Sequence, residues 1–162
     1  VGGWFQGRME FGPRALGNRS IIASPINPKM KDIINKKIKK RENFRPFAPS
    51  ILIDKKKDWF ETSKSNLYMS AVEYIIKDKR KKVPAITHFD GTGRVQDVDK
   101  TLNPRFYKLI QSFYNRTNIP ILLNTSFNEN EPIVNSPEEA INCFARTDID
   151  FLILENYVLE KI

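Results

Sequence analysis

The sequence predicts one α/β (α+β) domain in which a mixed sheet is flanked by helices. Short apolar runs of strand length alternate along the chain with amphipathic helical segments. The 162 residues match the size of one globular domain, which usually holds about 100 to 200 residues. No internal repeat, low-complexity segment or Ser/Gly-rich linker divides the chain. We therefore expect a single domain over residues 1–162.

The first elements are predicted to be two strands and a helix. Val1 to Phe5 and Ser20 to Ala23 are apolar runs flanked by Gly or Pro, which is typical of strands. Pro28 to Ile38 is predicted to be a helix, because apolar side chains recur there at helical spacing. Asn27 is its expected N-cap, with a proline in the first helical position.

The middle of the chain is predicted to form strands joined by charged surface segments. Three apolar runs indicate strands: Ser50 to Ile53, Leu67 to Ile76 and Ala85 to Phe89. A short helix is expected near Asp54 to Phe60, between the first two of them. The runs Lys55 to Lys57 and Lys79 to Lys82 are interpreted as solvated loops or helix ends.

The last part of the chain alternates helices and strands. Pro104 to Asn115 is predicted to be a helix capped by Asn103. Ile119 to Leu123 is a short apolar strand. A capping box predicts a helix from Ser136 to near Arg146, and Phe151 to Leu154 is the last expected strand.

A single histidine, His88, and a single cysteine, Cys143, restrict the chemistry open to the chain. They exclude a structural zinc site with four Cys and His ligands, and any disulfide within the chain. A histidine-based catalytic triad would have to use His88. A Walker loop of the form Gly-x-x-x-x-Gly-Lys is also absent. These absences favour a reaction in which the substrates bring their own nucleophile.

The sequence also bears on the cellular location of the chain and on whether it is a fragment of a longer protein. No apolar run approaches the roughly 18 residues needed to cross a bilayer, and the first residues lack the regions of a signal peptide. We therefore expect a cytoplasmic protein without a membrane partner. The chain lacks an initiator Met and opens directly on an apolar strand, which indicates a fragment of a longer protein.

The net charge of +8 is distributed unevenly. Residues 1–116 carry 25 basic and 11 acidic side chains, a charge of +14, whereas residues 117–162 carry 2 basic and 8 acidic ones, a charge of −6. The basic part indicates an anionic partner, either a nucleic acid or a small molecule that bears phosphates. The alternative, which fits most of the lysines, is a solvated surface.

Polar and cationic residues gather in four segments at the ends of regular elements, where a rigid scaffold can hold binding residues. The segments are Gly12 to Ser20, Lys39 to Pro49, Asp90 to Arg94 and Asn124 to Pro132. In the first, two glycines and a proline make a stiff turn that presents Arg14 for bidentate phosphate recognition. In the third, backbone N–H groups around two glycines can converge on an anion beside Arg94.

Each segment also has an explanation that needs no ligand. The arginines of the first segment can pair with Glu10 or with the acidic C-terminal third. The second segment is a charge run of the kind found on solvated faces, although Phe44 and Phe47 among its cations favour partial burial. The third is compatible with a hairpin turn and the fourth with an Asx-rich turn.

Taken together, the segments resemble a known family. The resemblance is carried by Gly7 to Ser20, Phe44 to Pro49, His88 to Gln96 and Asn124 to Asn128. Nearly the whole chain is similar to the C-terminal domain of the NodU/CmcH carbamoyltransferases, which O-carbamoylate antibiotics and nodulation factors. The resemblance implies a YrdC-like fold, a twisted mixed sheet flanked by helices, that binds carbamoyl phosphate and ATP and makes carbamoyl adenylate. A metal-carrying N-terminal domain of the actin/kinase-like superfold, absent here, then transfers the carbamoyl group to an acceptor hydroxyl.

The resemblance also implies the site residues. The patterns Lys39-x-Arg41 and Ser126-x-Asn128 are similar to the Lys-x-Arg and Ser-x-Asn signatures with which YrdC-like proteins hold the nucleotide phosphate and the carbamoyl portion. The residues expected to bind carbamoyl phosphate and ATP are Arg14, Lys39, Arg41, Arg45, Arg94, Ser126 and Asn128. The expected catalytic residues are Lys39, Arg45 and Arg94. ATP is expected to arrive with Mg²⁺ held largely by its phosphates, and no resident metal is expected in this domain.

The chain departs from the family pattern after Asn128. Family members often have a longer loop with a basic residue and a Gly, where this chain has only Glu129 and Asn130 before Glu131-Pro132. Two other functions stay open beside the enzyme. One is a basic RNA-binding module, since aromatic residues lie among the cations. The other is an inert domain that only interacts with the rest of its own protein.

Overall fold

A computed structural model describes residues 1–62 and 64–161 of the chain. Its strands are β1 (Gly2–Phe5), β2 (Arg19–Ala23), β3 (Ala48–Leu52), β4 (Glu73–Tyr74), β5 (Thr92–Gly93), β6 (Gln96–Val98), β7 (Ile121–Ser126), β8 (Phe151–Leu154) and β9 (Tyr157–Glu160). Its helices are α1 (Met30–Ile33), which continues as a π-helical turn over Ile34–Ile38, α2 (Pro104–Thr117) and α3 (Pro137–Arg146). Ile53–Asp58 and Lys77–Lys82 are 3₁₀ segments.

Seven of the strands form one mixed sheet, in the order β6-β3-β7-β2-β1-β8-β9. The β3–β6 and β1–β8 pairs are parallel, and the other pairs in this sheet are antiparallel. β4 and β5 form a separate two-stranded sheet. The predicted class, a single α/β domain whose mixed sheet is flanked by helices, is confirmed.

Both faces of the large sheet are covered, because successive side chains of a strand point to opposite faces. On one face, Ile21 and Leu123 belong to a core that includes the π-helical turn and α3. On the other face, Ile22 and Leu122 pack with Phe106 of α2. Because both faces are apolar, a polar site has to lie where the strands end.

The two long helices begin at the caps that the sequence predicts. The Asn103 side chain accepts a hydrogen bond from the Phe106 N–H at 3.2 Å at the start of α2. At the start of α3, the Ser136 hydroxyl accepts from the Glu139 N–H at 3.2 Å, and the Glu139 carboxylate accepts from the Ser136 N–H at 3.4 Å. The predicted capping box is therefore confirmed. None of the helices within the described residues is both long and apolar enough to cross a membrane.

The first helix is shorter and less regular than predicted. Asn27 accepts a hydrogen bond from the Lys29 N–H at 2.9 Å, but this contact belongs to a turn, and α1 begins only at Met30. From Ile34 the helix widens into the π-helical turn, after which the Lys39 N–H donates to the Ile34 carbonyl at 2.8 Å. Such turns are rare in proteins and often occur at functional sites.

Two of the predicted strands are wrong. Within Leu67 to Ile76 only Glu73–Tyr74 is a strand, and Ala85 to Phe89 contains none. Ile86 is as buried as a strand residue, yet its N–H donates to the Val83 carbonyl at 3.3 Å in a turn. A short apolar run can be buried on irregular backbone, so its pattern alone does not identify a strand. The short strands β5, β6 and β9 are not predicted by the sequence.

Lys56 is buried, although the lysine run around it is predicted to be solvated. Its ammonium lies 3.0 Å from the Glu73 carboxylate and 3.0 Å from the Asp97 carboxylate, and each of the three residues is at most 8% exposed. The 3₁₀ segment turns Lys56 inward while the neighbouring Lys57 stays exposed. A buried ammonium needs such partners.

Candidate functional site

A small polar cavity lies where β7 ends and where β2 and β3 begin. Both β2 and β3 run antiparallel to β7, with Ser20 opposite Ser126 and Ala48 opposite Asn124. The segments that lead into β2 and β3 are therefore brought to the same edge of the sheet as the end of β7. The cavity has a volume of about 120 Å³.

All four segments singled out in the sequence contribute to the cavity wall, together with one further loop. Residues that line it include Arg14, Arg41, Phe47, Met69, Arg94 and Ser126. Met69 comes from the region wrongly predicted to be a strand, and its φ of 55° is the left-handed conformation of a tight turn. The sequence therefore predicts the segments that meet here, but not the contribution of Met69.

Three arginines line the cavity without a carboxylate partner. No ion pair formed within residues 1–62 and 64–161 involves Arg14, Arg41 or Arg94. The Nε atom of Arg94 is buried and has no hydrogen-bond partner in this part of the chain. Burial, and then the charge of Arg14, lower the pKa of the Arg94 guanidinium. An anion would stabilise cations in such surroundings, so the cavity has the electrostatics of an anion-binding site.

The segment that presents Arg14 is held in place by its contacts with Glu10 and with α2. The Glu10 carboxylate accepts a hydrogen bond from the Leu16 N–H at 2.6 Å, so Glu10 braces the turn instead of pairing with Arg14. Gly17 has a φ of 105°, and a side chain there would overlap the ring of Phe106. This close approach to α2 fixes the far end of the turn.

Arg41 is fixed from two sides. Its Nε donates to Oδ1 of the buried Asn35 at 2.8 Å, and its guanidinium lies 5.0 Å from the centre of the Phe47 ring. Asn35 in turn donates to the Arg45 carbonyl at 3.0 Å, which ties the π-helical turn to the following segment. Burial, and then the charge of Arg45, lower the pKa of Arg41. The contacts at Nε leave the two terminal nitrogens of Arg41 for a ligand.

Lys39 lies behind the cavity wall and holds the end of β7. Its ammonium donates to the Ser126 carbonyl at 2.6 Å, and to the carbonyl and Oδ1 of Asn128 at 2.7 Å and 2.6 Å. The residue is 2% exposed. Burial, and then the charge of Arg41, lower its pKa from 10.5 to about 7. Lys39 thus contacts both members of the Ser-x-Asn pair, but it does not line the cavity.

The predicted site residues do not all occupy equivalent positions. Four of the seven line the cavity: Arg14, Arg41, Arg94 and Ser126. Asn128 faces Lys39 and accepts a hydrogen bond from the Ser126 hydroxyl at 2.8 Å. Arg45 is exposed and pairs with Glu42 at 2.9 Å. An exposed pair of this kind is weak, so Arg45 can exchange Glu42 for another anion.

Asn124 is a lining residue that the motifs do not single out from its segment. Its amide NH₂ donates to the Ser50 hydroxyl at 3.0 Å and to Oε1 of Gln96 at 3.1 Å, and Ser50 donates to the same Gln96 atom at 2.7 Å. Its Oδ1 is buried without a partner among the described residues. Buried polar groups need hydrogen-bond partners. The sequence signal for Asn124 is therefore its position as a polar amide directly after the apolar run Ile119 to Leu123.

The short segment after Asn128 is held by ion pairs. Glu129 lies 2.6 Å from the Lys40 ammonium and 3.2 Å from the Arg146 guanidinium, and Glu131 also pairs with Arg146. The hydrogen bond from Lys40 is the main cause that lowers the pKa of Glu129. The segment itself contains no basic residue, so it does not replace the cation of the longer family loop.

The fold and the cavity define a class: a mixed α/β domain whose central strands end at a small cavity lined by three arginines. The chain belongs to the carbamoyltransferase family, since the family model described as "Carbamoyltransferase C-terminus" matches residues 1–161. The resemblance to the C-terminal domain of the NodU/CmcH carbamoyltransferases is thereby confirmed.

Relatives of the chain come from several bacteria. It is 48% identical over 163 residues to "Nodulation protein NolNO" of Sinorhizobium fredii, covering 98% of this chain and 24% of the relative. It is 47% identical over 163 residues to "Nodulation protein NolO" of Bradyrhizobium diazoefficiens, covering 98% of this chain and 30% of the relative. It is 47% identical over 182 residues to "Uncharacterized protein sll1178" of Synechocystis sp., covering 99% and 30%. The chain thus spans between 24% and 30% of these relatives.

Proposed function

We propose that this domain binds carbamoyl phosphate and ATP and forms carbamoyl adenylate, the activation half of a carbamoyltransferase reaction. The carbamoyl group would then pass to an acceptor hydroxyl on another domain of the same protein. The observation that carries the proposal is the cavity wall, where Arg14, Arg41 and Arg94 have no carboxylate partner among the described residues. Three guanidiniums around one small space match the charge of a phosphate.

The size and polarity of the cavity also suit carbamoyl phosphate. Pockets for drug-sized ligands measure about 300 to 1,000 Å³, whereas this cavity of about 120 Å³ suits a small anion. The phosphate oxygens can accept hydrogen bonds from the arginines. The unpartnered Oδ1 of Asn124 is an acceptor, and it suits the NH₂ of a carbamoyl group.

The proposed reaction needs no catalytic histidine. Water attacks the carbonyl carbon of carbamoyl phosphate, the bond from that carbon to the phosphate oxygen breaks, and the departing phosphate takes up the protons of the water, which leaves carbamate. A carbamate oxygen then attacks the α-phosphorus of ATP, the bond from that phosphorus to the bridging oxygen breaks, and pyrophosphate leaves. Carbamate is already an anion, so no general base has to activate it. The arginines lower the barrier by neutralising charge on the phosphates.

The three residues expected to be catalytic take different parts in this proposal. Arg94 lines the cavity and would contact a phosphate directly. Lys39 would act by holding Ser126 and Asn128 in place. Arg45 would take part after it leaves Glu42, with which it forms an exposed pair. ATP would bring its Mg²⁺, and the phosphates would be the main ligands of that ion.

The proposal is tested by exchange of labelled pyrophosphate into ATP, measured with and without carbamoyl phosphate. This exchange reports the activation step alone and does not require the transfer domain. We expect exchange that depends on carbamoyl phosphate, and a loss of about a hundredfold or more in Arg94→Ala. Arg105→Ala is the matched control, because Arg105 is an exposed arginine on α2 that pairs with Glu155. Equal exchange in both variants would contradict the proposal.

A further inference from the structure

Three polar side chains are buried together on one face of the large sheet. They are Ser50 of β3, Gln96 of β6 and Asn124 of β7, three adjacent strands, and each is at most 4% exposed. Val98 and Leu122, two residues away on the same strands, belong to the apolar core that packs with α2 on this face. Polar groups inside an apolar core cost free energy unless they are hydrogen-bonded. We call Ser50, Gln96 and Asn124 the polar network.

The amide of Gln96 can be oriented in only one way. Its Nε2 lies 2.7 Å from the Leu16 carbonyl oxygen, and a carbonyl only accepts hydrogen bonds, so the NH₂ must face it. Its Oε1 then accepts from the Ser50 hydroxyl at 2.7 Å. The hydroxyl hydrogen of Ser50 is thereby used, and its oxygen remains as an acceptor.

The orientation of the Asn124 amide follows from these contacts. Its NH₂ lies 3.1 Å from the Ala15 carbonyl, 3.0 Å from the Ser50 hydroxyl oxygen and 3.1 Å from Oε1 of Gln96. All three of these atoms accept hydrogen bonds, so a flipped amide would place its oxygen against three acceptors. The Oδ1 of Asn124 therefore lies on the other side of the amide, where it has no partner among the described residues.

A fixed acceptor in the cavity wall can distinguish two small phosphates of the same shape. Asn124 lines the cavity. A carbamoyl group carries an NH₂ where an acetyl group carries a CH₃ of similar size, and only the NH₂ can donate to Oδ1. A site built to hydrogen-bond a ligand group rejects the analogue that lacks it, because a buried polar atom is then left unpaired. A flipped amide would present its own NH₂ and would lose this distinction.

We propose that Gln96 and Ser50 are positioning residues that hold the Asn124 amide with its Oδ1 towards the cavity, so that the domain selects carbamoyl over acetyl phosphates. This inference rests on the proposed function and adds to it what sets the choice of acyl group. Neither positioning residue lines the cavity, so both act through Asn124. The two carbonyls that anchor the network directly follow Arg14 in the chain, so the acceptor and this cation are held by one turn.

The experiment uses two stable phosphonates, phosphonoacetamide and acetonylphosphonate. Both have a CH₂ group between the carbonyl carbon and phosphorus, and they differ only in an NH₂ against a CH₃. Calorimetric titration gives the preference, which is the ratio of their two dissociation constants. We expect the native chain to prefer phosphonoacetamide by about tenfold or more. Gln96→Met and Asn124→Leu should each reduce this preference by about threefold or more and leave the affinity for acetonylphosphonate within about twofold.

Combining the two substitutions separates positioning from a merely structural role. Because Gln96 acts through Asn124, Gln96→Met should have no further effect on the preference when Asn124→Leu is already present. A merely structural role would weaken both ligands alike. Ser50→Ala is a smaller change that should also lower the preference, and it replaces Gln96→Met if that variant does not fold. Gln111→Met is the matched control, because the amide of Gln111 lies on α2 and donates to Asn115 at 2.9 Å.

The two proposals fail in different ways. If the native chain binds neither phosphonate, the proposed function is wrong and the selection falls with it. If the native chain binds both with equal affinity, the phosphate site stands and only the selection is wrong. A preference that folded Gln96→Met and Ser50→Ala variants retain in full would overturn the positioning role. The same holds if Gln96→Met changes the preference equally with and without Asn124→Leu. Thermal unfolding identifies which variants are folded.

Discussion

The ammonium of Lys39 and the carbonyl oxygen of Ser126 are 2.6 Å apart, although 87 residues separate them in the chain. The contact joins the residue after the π-helical turn to the end of β7, where Ser126 lines the cavity. Lys39 itself is buried and does not reach the cavity. The position of Ser126 in the wall therefore depends on a residue that is expected to support the ligand and not to touch it.

Protonation of Lys39 is expected to make the stability of the domain depend on pH. Its pKa falls from 10.5 to about 7 on folding, so the unfolded chain binds more protons between these values. The unfolding free energy of the native chain minus that of Lys39→Met should rise from about pH 7 towards pH 10, by at most about 1.4 kcal/mol per pH unit. Below this window the difference should level off, because Lys39 is protonated in both states.

Urea denaturation of both chains at several pH values measures this difference. The comparison with Lys39→Met removes the contributions of all other titrating groups that the two chains share. A difference that stays constant across the whole window would mean that Lys39 keeps its ordinary pKa on folding.

Arg94→Met is expected to remove anion binding without loss of folding stability. The methionine keeps the apolar part of the side chain in place. Its neutral end removes two unfavourable contributions: the cost of burying the Arg94 charge and the repulsion of that charge from Arg14. We expect the unfolding free energy of the ligand-free domain to stay equal or to rise by up to about 1 kcal/mol. Stabilisation by carbamoyl phosphate should disappear.

Thermal unfolding with and without carbamoyl phosphate measures both the folding stability and the ligand effect, with Arg105→Met as the control that keeps the ligand effect. A loss of more than about 2 kcal/mol would instead assign Arg94 a structural role.

Lys56→Met is expected to destabilise the domain by about 3 to 5 kcal/mol, because it leaves two carboxylates buried without their cation. The carboxylates are those of Glu73 and Asp97, each 3.0 Å from the Lys56 ammonium. The triple variant Lys56→Met/Glu73→Gln/Asp97→Asn should recover most of the loss. Lys57→Met, at an exposed neighbouring position, should change stability by no more than about 0.5 kcal/mol. Chemical denaturation compares the three, and equal effects at positions 56 and 57 would rule out the buried charge cluster.

Gly17→Ala is expected to destabilise the domain more than Gly12→Ala. Both glycines have positive φ, 105° and 129°, so both substitutions strain the backbone. Only at Gly17 does the new methyl group overlap Phe106, whereas Gly12 has open space around it. We expect about 1 to 3 kcal/mol of additional loss at Gly17 from this overlap. Thermal unfolding of the two variants measures it, and equal losses would show that α2 moves aside without cost.

The sequence predicts much of the cavity because its segments have local signatures. Glycines and prolines mark the turns, and the arginines stand at fixed positions within them, so the sequence predicts Arg14 and Arg94 as site residues, and both line the cavity. The long helices are predicted for the same reason, since a cap such as Asn103 lies next to the helix that it begins.

Other features depend on contacts that no local pattern contains. The burial of Lys56 requires carboxylates that lie 17 and 41 residues further along the chain. The turn at Ile86 has the apolar composition of a strand, and only the surrounding structure decides between the two. The contact of Lys39 with the Ser126 carbonyl is another example, because it joins two residues that are 87 positions apart in the chain.

The place of β7 in the sheet also has a consequence for synthesis on the ribosome. β7 lies between β3 and β2, so without it β3 and β6 have no pairing with β2, β1, β8 and β9. A nascent chain that has not yet exposed Ser126 therefore holds two separate pieces of sheet and no cavity. The arginines of the wall are translated before β7, but they can be brought together only after the last residue of β7 has left the exit tunnel.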